Sequence, residues 1–368
     1  MRPTEINPND YHRLLEEKSS ALEASFQTFQ PPALKTFESP PLHYRMRAEF
    51  RVWHDGDDLY HIMFDPDTKD KYRVDEFPPG AELINTTMTK LLDLIRPNQV
   101  LRHKLYQIDY LTGLSGEILI SLIYRRKLDT DWNNAAQLLL TELRNDFNVH
   151  IIGRARKQKI LLEQDFIIES LPINGREFQF KQIENSFTQP NASINCNMIE
   201  WAKQHCANSN HDLLELYCGA GNFTLPLASE FNKVIATEIA KSSVNAAQFN
   251  IARNQVENVA IIQMSSEELT AHIKTGAYAK KMKGIEWQNY DCHTVLVDPP
   301  RSGLDPATLD LVSNFHKIVY ISCNPETLFD NMRQLSATHH ITQFAMFDQF
   351  PYTHHVEVGL ILEQRSSS

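Results

Sequence analysis

The sequence has only five cysteines in 368 residues and no CxxC pair among them, which argues against a disulfide framework and against a cysteine-held zinc or iron–sulfur centre. It has no apolar run near the ~20 residues that cross a bilayer, and its opening MRPTEINPNDYHRLLEE has no apolar leader core. A cytoplasmic chain with reduced thiols, no membrane and no obligate protein partner is expected. Positive charge is also scarce. The net charge of −10 speaks against coating nucleic acid by bulk charge, though a local basic face can persist. Repeats and low-complexity tracts are missing apart from a serine tail, Ser366 to Ser368, expected to be disordered. What remains is a globular apolar content and length enough for two domains.

Hydrophobic periodicity changes near residue 180, so domains are expected over 1–180 and 181–368. The first half predicts an α+β domain with an antiparallel sheet. A helix is expected from Asp10, as its cap, to about Phe26. In RMRAEFRVW, Met46, Ala48, Phe50 and Val52 alternate with Arg45, Arg47, Glu49, Arg51 and Trp53, giving a half-buried strand with a mainly basic outer face. The Asp-Gly of HDGDD then predicts a hairpin. Helical patterns at Ala81 to Ile95 and Trp132 to Phe147 bracket two further strands, KLYQIDYL and EILISLIY.

From Arg96 to Lys159 there are eleven Lys/Arg against six Asp/Glu, a basic region in an acidic chain. It is concentrated at Arg125-Arg126-Lys127 and at Arg154, Arg156, Lys157 and Lys159. These clusters are either a solvated face or an RNA contact. Interleaved Tyr44, Trp53, Tyr106, Tyr110 and Tyr124 favour RNA, because unpaired bases stack on aromatic rings.

Beyond Gln189-Pro190, short apolar strands alternate with turns and helices, which predicts βαβ units and a doubly wound parallel sheet with ligands at the strand C-terminal ends. Gly219 and Gly221 of LYCGAGNF permit a sharp turn beneath a ligand. Glu238 ends the next strand about 20 residues on, where a carboxylate can hold ribose hydroxyls. The third glycine of GxGxxG is missing, so S-adenosylmethionine is favoured over a dinucleotide. DPPRSGLD places Asp298 and Arg301 in a proline-stiffened loop beside a planar substrate, unless the prolines only end a strand. Cys323 closes KIVYIS against Asn324-Pro325. Free cysteine usually packs, but this one shares an edge with the nucleoside-binding loops and is a candidate nucleophile. Cys218 and Cys292 read as packing. His354-His355 lacks ligand spacing, so no metal is expected. Glu357 opens an apolar strand and is either on its solvent side or a buried base.

These motifs together resemble the S-adenosylmethionine-dependent RNA 5-methyluridine methyltransferases, in particular the bacterial tRNA (uracil-5-)-methyltransferases. HYRMRAEFR, RHKLYQIDYLT, ENSFTQPNA, LLELYCG, VDPPRSGLD, YISCNPETL and DQFPYTHH carry the resemblance along nearly the whole chain. It implies a Rossmann-like methyltransferase domain preceded by an RNA-binding one. It makes Cys323 the nucleophile and Glu357 the general base, with Gln189, Tyr217, Asn222, Glu238 and Asp298 at the cofactor. Arg51, Tyr106, Arg125 and Arg301 would meet RNA, Tyr106 standing where the family often has phenylalanine. The implied substrate is the T-arm of tRNA, with T-arm-like tmRNA and a role in tRNA folding as further expectations. No four-cysteine cluster motif and no extra barrel domain precede HYRMRAEFR, so ribosomal-RNA relatives carrying them fit less well, and no iron–sulfur cluster is implied.

Carbon 5 of uracil is a weak nucleophile, so a thiolate adding at carbon 6 is needed to make it attack a methyl group. Cysteine suits, provided its pKa of ~8.5 falls modestly. The target base would be flipped out. Cytosine-5 methylation would want a second cysteine in the proline loop, and adenine-N6 methylation an aromatic after the two prolines; DPPRSG has neither. A pure RNA-binding module remains the alternative from another class.

Overall fold

Tyr11, Leu15, Leu22 and Phe26 recur along one side of helix α1 (Tyr11–Phe26) and are buried in a core shared with Leu214, Ile235 and Val295, far along the sequence. That stripe ties the N-terminal segment, with strand β1 (Lys35–Phe37), to the C-terminal fold. The computed structural model describes residues 2–276, 280–282 and 284–366; of the serine tail, residues 367–368 lie outside the described residues. One unit comprises Met1–Pro8, Pro40–Leu171 and Gln182–Ala192, the other Asn9–Ser39, Pro172–Lys181 and Ser193–Ser368. The units therefore interleave, where sequence periodicity suggested one boundary at 180/181. Asp10 precedes α1 in helical backbone geometry and its side chain makes no cap bond.

The first unit is built from β2 (Arg47–Asp55), β3 (Asp58–Phe64), β4 (Lys71–Val74), α2 (Glu82–Ile95), α3 (Gln99–Arg102), β5 (Leu105–Thr112), β6 (Glu117–Tyr124), α4 (Thr130–Leu143), β7 (Asn148–Ala155) and β8 (Gln158–Leu161). The sheet order is β4-β3-β2-β5-β6-β7-β8. It is antiparallel except at β6 and β7, which run parallel because α4 carries the chain back between them. The expected antiparallel sheet thus contains one crossover unit. In β2, Ala48, Phe50 and Val52 point into the core, as the alternation requires. A hairpin of β9 (Phe166–Ile173) and β10 (Arg176–Ile183) divides its residues between the units.

The second unit adds α5 (Ala192–Cys206), β11 (Asp212–Leu216), α6 (Thr224–Leu227), β12 (Val234–Glu238), α7 (Lys241–Asn254), β13 (Val259–Gln263), α8 (Ser266–Thr275), β14 (Cys292–Val297), α9 (Pro306–Val312), β15 (Lys317–Ser322), α10 (Pro325–Leu335), β16 (His339–Phe347) and β17 (Glu357–Gln364). Its sheet runs β1-β16-β17-β15-β14-β11-β12-β13. From β11 the chain winds outward to β12 and β13, then returns to β14 and β15 on the other side. The C-terminal ends of β11 and β14 are therefore the switch point where such sheets bind ligands. Only β17 is antiparallel to its neighbours. Among the described residues no helix is long and apolar enough to cross a membrane.

Candidate active site

Leaving β11, the chain makes a tight loop with φ positive at Tyr217 (62°), Gly219 (56°) and Gly221 (87°). Gly221 needs its missing side chain, since a Cβ there would lie 2.4 Å from Leu225. A Cβ on Gly219 would meet nothing within 4 Å and would enter the open space above the loop. Glu238 holds the loop from β12 by accepting the Gly219 N–H at 3.1 Å, and accepts the Ala240 N–H at 2.7 Å. Asn222 exchanges two amide hydrogen bonds with Asn195, at 2.8 and 2.9 Å. The Tyr217 hydroxyl accepts from Ser266 at 2.7 Å. Asn222 and Tyr217, expected at the cofactor, thus spend much of their polar capacity shaping the loop. Gln189 belongs to the first unit.

Cys323 and Glu357 meet through strand register. β15 and β17 pair antiparallel up to Ser322 opposite Val358, so Cys323 and Glu357 lie just beyond this last pair, one on each strand. The Glu357 charge is felt at the Cys323 thiol. Asp298 is the residue just past β14, on the strand beside β15. Glu357 is 5 % exposed, which selects the buried reading over the solvent-facing one. The Asn-Pro turn is a helix start: Asn324 caps α10 by accepting the Glu326 N–H at 3.2 Å, with Pro325 at the first helical position. Asn324 also donates to the Arg301 carbonyl at 2.9 Å, and Thr327 to the same oxygen at 3.2 Å. The cysteine and proline loops are thereby stapled together.

Burial pushes the half-buried Cys323 thiol up, the nearby Glu357 and Asp298 charges add to this, and Arg301 opposes it. The modest lowering expected for a nucleophile is not what the surroundings provide, because two carboxylates face the sulfur against one guanidinium. Glu357 is pushed well above the usual carboxylate range by burial and then by Asp298, again with Arg301 opposing. Asp298 is raised to about 7 by burial. Cys218 and Cys292 are also driven up by burial and behave as packing residues. No two of the five cysteines are joined in a disulfide.

Sequence reading passed over Glu215, whose only signal is one acidic residue inside the apolar run LLELY. It is 1 % exposed, and Oε2 has no hydrogen-bond partner; nor has Oγ1 of nearby Thr224. Burial lifts the Glu215 carboxyl to about 8, and Asp298 adds to this. A folded-state value above the ordinary 4.5 means that the stability of the acid form is lost as pH rises through about 8. Glu215→Gln should therefore gain on the wild type between pH 5 and pH 9, by a few kcal/mol at the upper end. Thermal melts across that range check this, and a Tm difference independent of pH would refute it. Ile239 was passed over too: it is apolar, 66 % exposed, and directly follows Glu238.

In the first unit, Arg51 and Arg125 place their guanidinium carbons 4.0 and 3.6 Å from the centre of the Tyr106 ring. Tyr106 sits at a register shift in β5, between Leu105 opposite Tyr124 and Gln107 opposite Ile123. Such bulges re-aim a side chain. The three candidates come together, but as a cationic stack rather than a bare ring. Other expected RNA residues are structural. Tyr44, Tyr110 and Tyr124 are buried. Arg126 turns inward to the carbonyls of His103, Val100 and Lys127. Arg154 makes two 2.5 Å bonds to buried Glu184, and Lys159 lies 3.2 Å from the same carboxylate. Arg126, Arg154 and Lys159 are thus drawn onto the protein's own acids and carbonyls, while Arg125, Lys127, Arg156 and Lys157 remain exposed.

His354 and His355 form no group suited to a cation. Among the described residues the grouping close enough to share one is His211, Asp291 and His293, at the N-terminal ends of β11 and β14, opposite the switch point. There both imidazoles already pair with the Asp291 carboxylate.

The chain matches the family model for tRNA (uracil-5-)-methyltransferase over residues 10–365. It is 57% identical over 365 residues to the tRNA/tmRNA (uracil-C(5))-methyltransferase of Pseudoalteromonas atlantica, covering 99% of this chain and 100% of that protein. It is 55% identical over 366 residues to the Edwardsiella ictaluri protein of the same name, with the same coverage. The fold is similar to a solved Pyrococcus abyssi tRNA (uracil-54, C5)-methyltransferase, with a TM-score of 0.72 and 21% identity over 96% of this chain and 83% of that one. With its glycine loop, proline loop and cysteine turn at one switch point, and with more than half its residues shared along the full length of these relatives, the chain belongs to the tRNA (uracil-5-)-methyltransferase family.

Proposed function

We propose that this protein methylates carbon 5 of the T-loop uridine of tRNA, forming 5-methyluridine through a transient bond between Cys323 and carbon 6. The observation that carries the reading is that Cys323 and buried Glu357 lie just beyond the last pair of β15 and β17, with Asp298 just past the neighbouring β14. The donor site fits S-adenosylmethionine: the loop leaves open space above Gly219, Glu238 stands at a ribose-binding position, and exposed Ile239 can cover a flat base. Glu215 and Thr224 leave polar atoms without partners at its base. Tyr217, Asn222, Glu238 and Asp298 would hold the donor, which supplies a methyl group on a cationic sulfur.

The Cys323 thiolate adds to carbon 6 of a flipped-out uracil, and the ring electrons move toward carbon 5 and oxygen 4. Carbon 5 takes the methyl group. Glu357 then accepts the proton from carbon 5, and the electron pair of that bond expels the sulfur from carbon 6. Its raised proton affinity suits it to receive a carbon-bound proton in a site shielded from water. The Cys323 thiol must itself lose a proton against two carboxylates, so Arg301 supplies the local positive charge that favours addition.

The first unit would recognise the T-arm through shape and phosphate contacts, with Arg51 and Arg125 presented on Tyr106. A domain division into RNA recognition before residue 180 and catalysis after it, action on tmRNA, a folding role and a cytoplasmic location accompany this reading. Arg51→Gln with Arg125→Gln should weaken T-arm binding about tenfold and flatten the salt dependence by about two ion equivalents. Filter binding across a salt series measures both, and an unchanged slope would return the stack to a structural role. The function itself is tested by incubation with unmodified tRNA and labelled S-adenosylmethionine, followed by nucleoside analysis. Label in 5-methyluridine is expected, and label in 5-methylcytidine or methyladenosine alone overturns the reading.

A further inference from the structure

β16 ends at Phe347 and β17 begins at Glu357, and these two residues pair across the strands. Residues 348–356 therefore form a closed excursion whose second foot is Glu357 itself. A loop of this length with no regular structure is ordinarily the mobile part of a fold. Here it is gripped from the other end of the sequence. The Lys18 ammonium of α1 donates to Asp348 Oδ1 at 2.6 Å, to the Phe350 carbonyl at 2.9 Å and to the His355 carbonyl at 3.4 Å. Its three protons meet three acceptors spread along the loop. The side chain of Lys18 is 10% exposed and that of Asp348 1% exposed.

The same segment fastens the loop elsewhere. The Asp348 N–H donates to the Phe37 carbonyl at 3.1 Å, the Tyr352 ring meets that of Tyr11 edge-on at 5.9 Å, and the Tyr11 hydroxyl accepts the Ser39 N–H at 2.7 Å. A buried ion pair is a poor source of net stability, since its desolvation offsets its attraction; what it does well is select one arrangement of the groups it joins.

We propose that Lys18 is a positioning residue for Glu357: by holding residues 348–355 it sets where the carboxylate stands over carbon 5 of the bound uracil. The proposal rests on Glu357 being the base, as argued above. Proton removal needs the base within hydrogen-bond reach, and a displacement of ~1 Å costs about a hundredfold. The sulfur's addition does not depend on this loop, because Cys323 hangs from β15 and α10. Loosening the loop should therefore slow the last step while sparing the first. Asp298, Cys323 and Arg301 surround the carboxylate, and none of them is altered by a change at Lys18.

Lys18→Met strands a buried Asp348 and can unfold the chain, so the decisive variant is Lys18→Met with Asp348→Asn, which leaves no charge behind. Each full-length variant is mixed with S-adenosylmethionine and either a uridine or a 5-fluorouridine T-arm RNA, and quenched samples are resolved under denaturing conditions. Fluorine at carbon 5 leaves no proton there for the base to remove, so the fluorinated RNA reports addition and methyl transfer without the final elimination. The double variant should capture fluorinated RNA at nearly the wild-type rate. On uridine RNA its covalent adduct should break down about 10- to 100-fold more slowly and accumulate. Equal slowing of both steps, or slowing of neither, overturns the inference. Glu357→Gln run in parallel separates the two failures. If it traps no adduct, the base assignment falls and takes this proposal with it; if it traps adduct and the double variant does not, only the role of Lys18 is lost.

Discussion

Cys323→Ala should abolish 5-methyluridine formation, by at least about a thousandfold in single turnover, while T-arm affinity stays within a fewfold of the wild type. The size of the loss follows from the chemistry. Without a group adding at carbon 6, carbon 5 has no route to a reactive electron pair, and no neighbouring residue can substitute. Cys218 lies in the glycine loop and Cys292 at the N-terminal end of β14, both with thiols suppressed by burial. The sparing of affinity follows from location, because the cationic residues offered to RNA are on the first unit and at Arg301, and Cys323 is uncharged in the resting protein at neutral pH. Filter binding and methyl incorporation on the same preparation check both halves. Appreciable turnover in the alanine variant would sink the nucleophile assignment.

Glu357→Gln gives the second large effect, of a different kind. The amide is close in size to the carboxyl and keeps its place at the start of β17, but it cannot accept the carbon-5 proton. Addition and methyl transfer should proceed and elimination should fail, so RNA becomes locked to protein in a band that survives denaturation and proteolysis maps to the Cys323 peptide. Release of methylated RNA should fall by about 10²–10⁴-fold, the usual contribution of a positioned base. Replacing the carboxylate also removes one of the two negative charges that raise the thiol, so the pH at which addition begins should move down. A variant that releases product normally, or that never forms adduct, would show that another group takes the proton.

Much of this site is legible in the sequence because its parts are local. A strand that runs into glycine at Gly219, into Asp298-Pro299-Pro300 or into Cys323-Asn324-Pro325 marks its own C-terminal end. Residues at such ends converge in a parallel sheet whatever the intervening helices are. Period-two alternation likewise identifies β2, and the run of βαβ units identifies the doubly wound sheet. What depends on distant partners was hidden. The choice between a solvent-facing and a buried Glu357 turns on β16 and β17 pairing in the sheet, and the rise of the Cys323 thiol turns on how far the fold buries it and then on which charges face it. Sequence proximity likewise says nothing of Arg126 turning inward or Arg154 meeting Glu184.

The sequence by itself determined the elements, the doubly wound class of the second unit and the residue types that carry the chemistry, since these follow from spacing and backbone preference within a few turns of chain. Tertiary structure decided the rest: that α1 and β1 fold with the C-terminal unit, that a crossover helix makes one pair of the first sheet parallel, that Cys323 and Glu357 lie just beyond the last pair of β15 and β17, and that Lys18 reaches residues 348–355. Each of these is a contact between segments far apart in the chain. Such contacts are set by burial of whole faces and by the pairing of buried charges, quantities that no local pattern encodes.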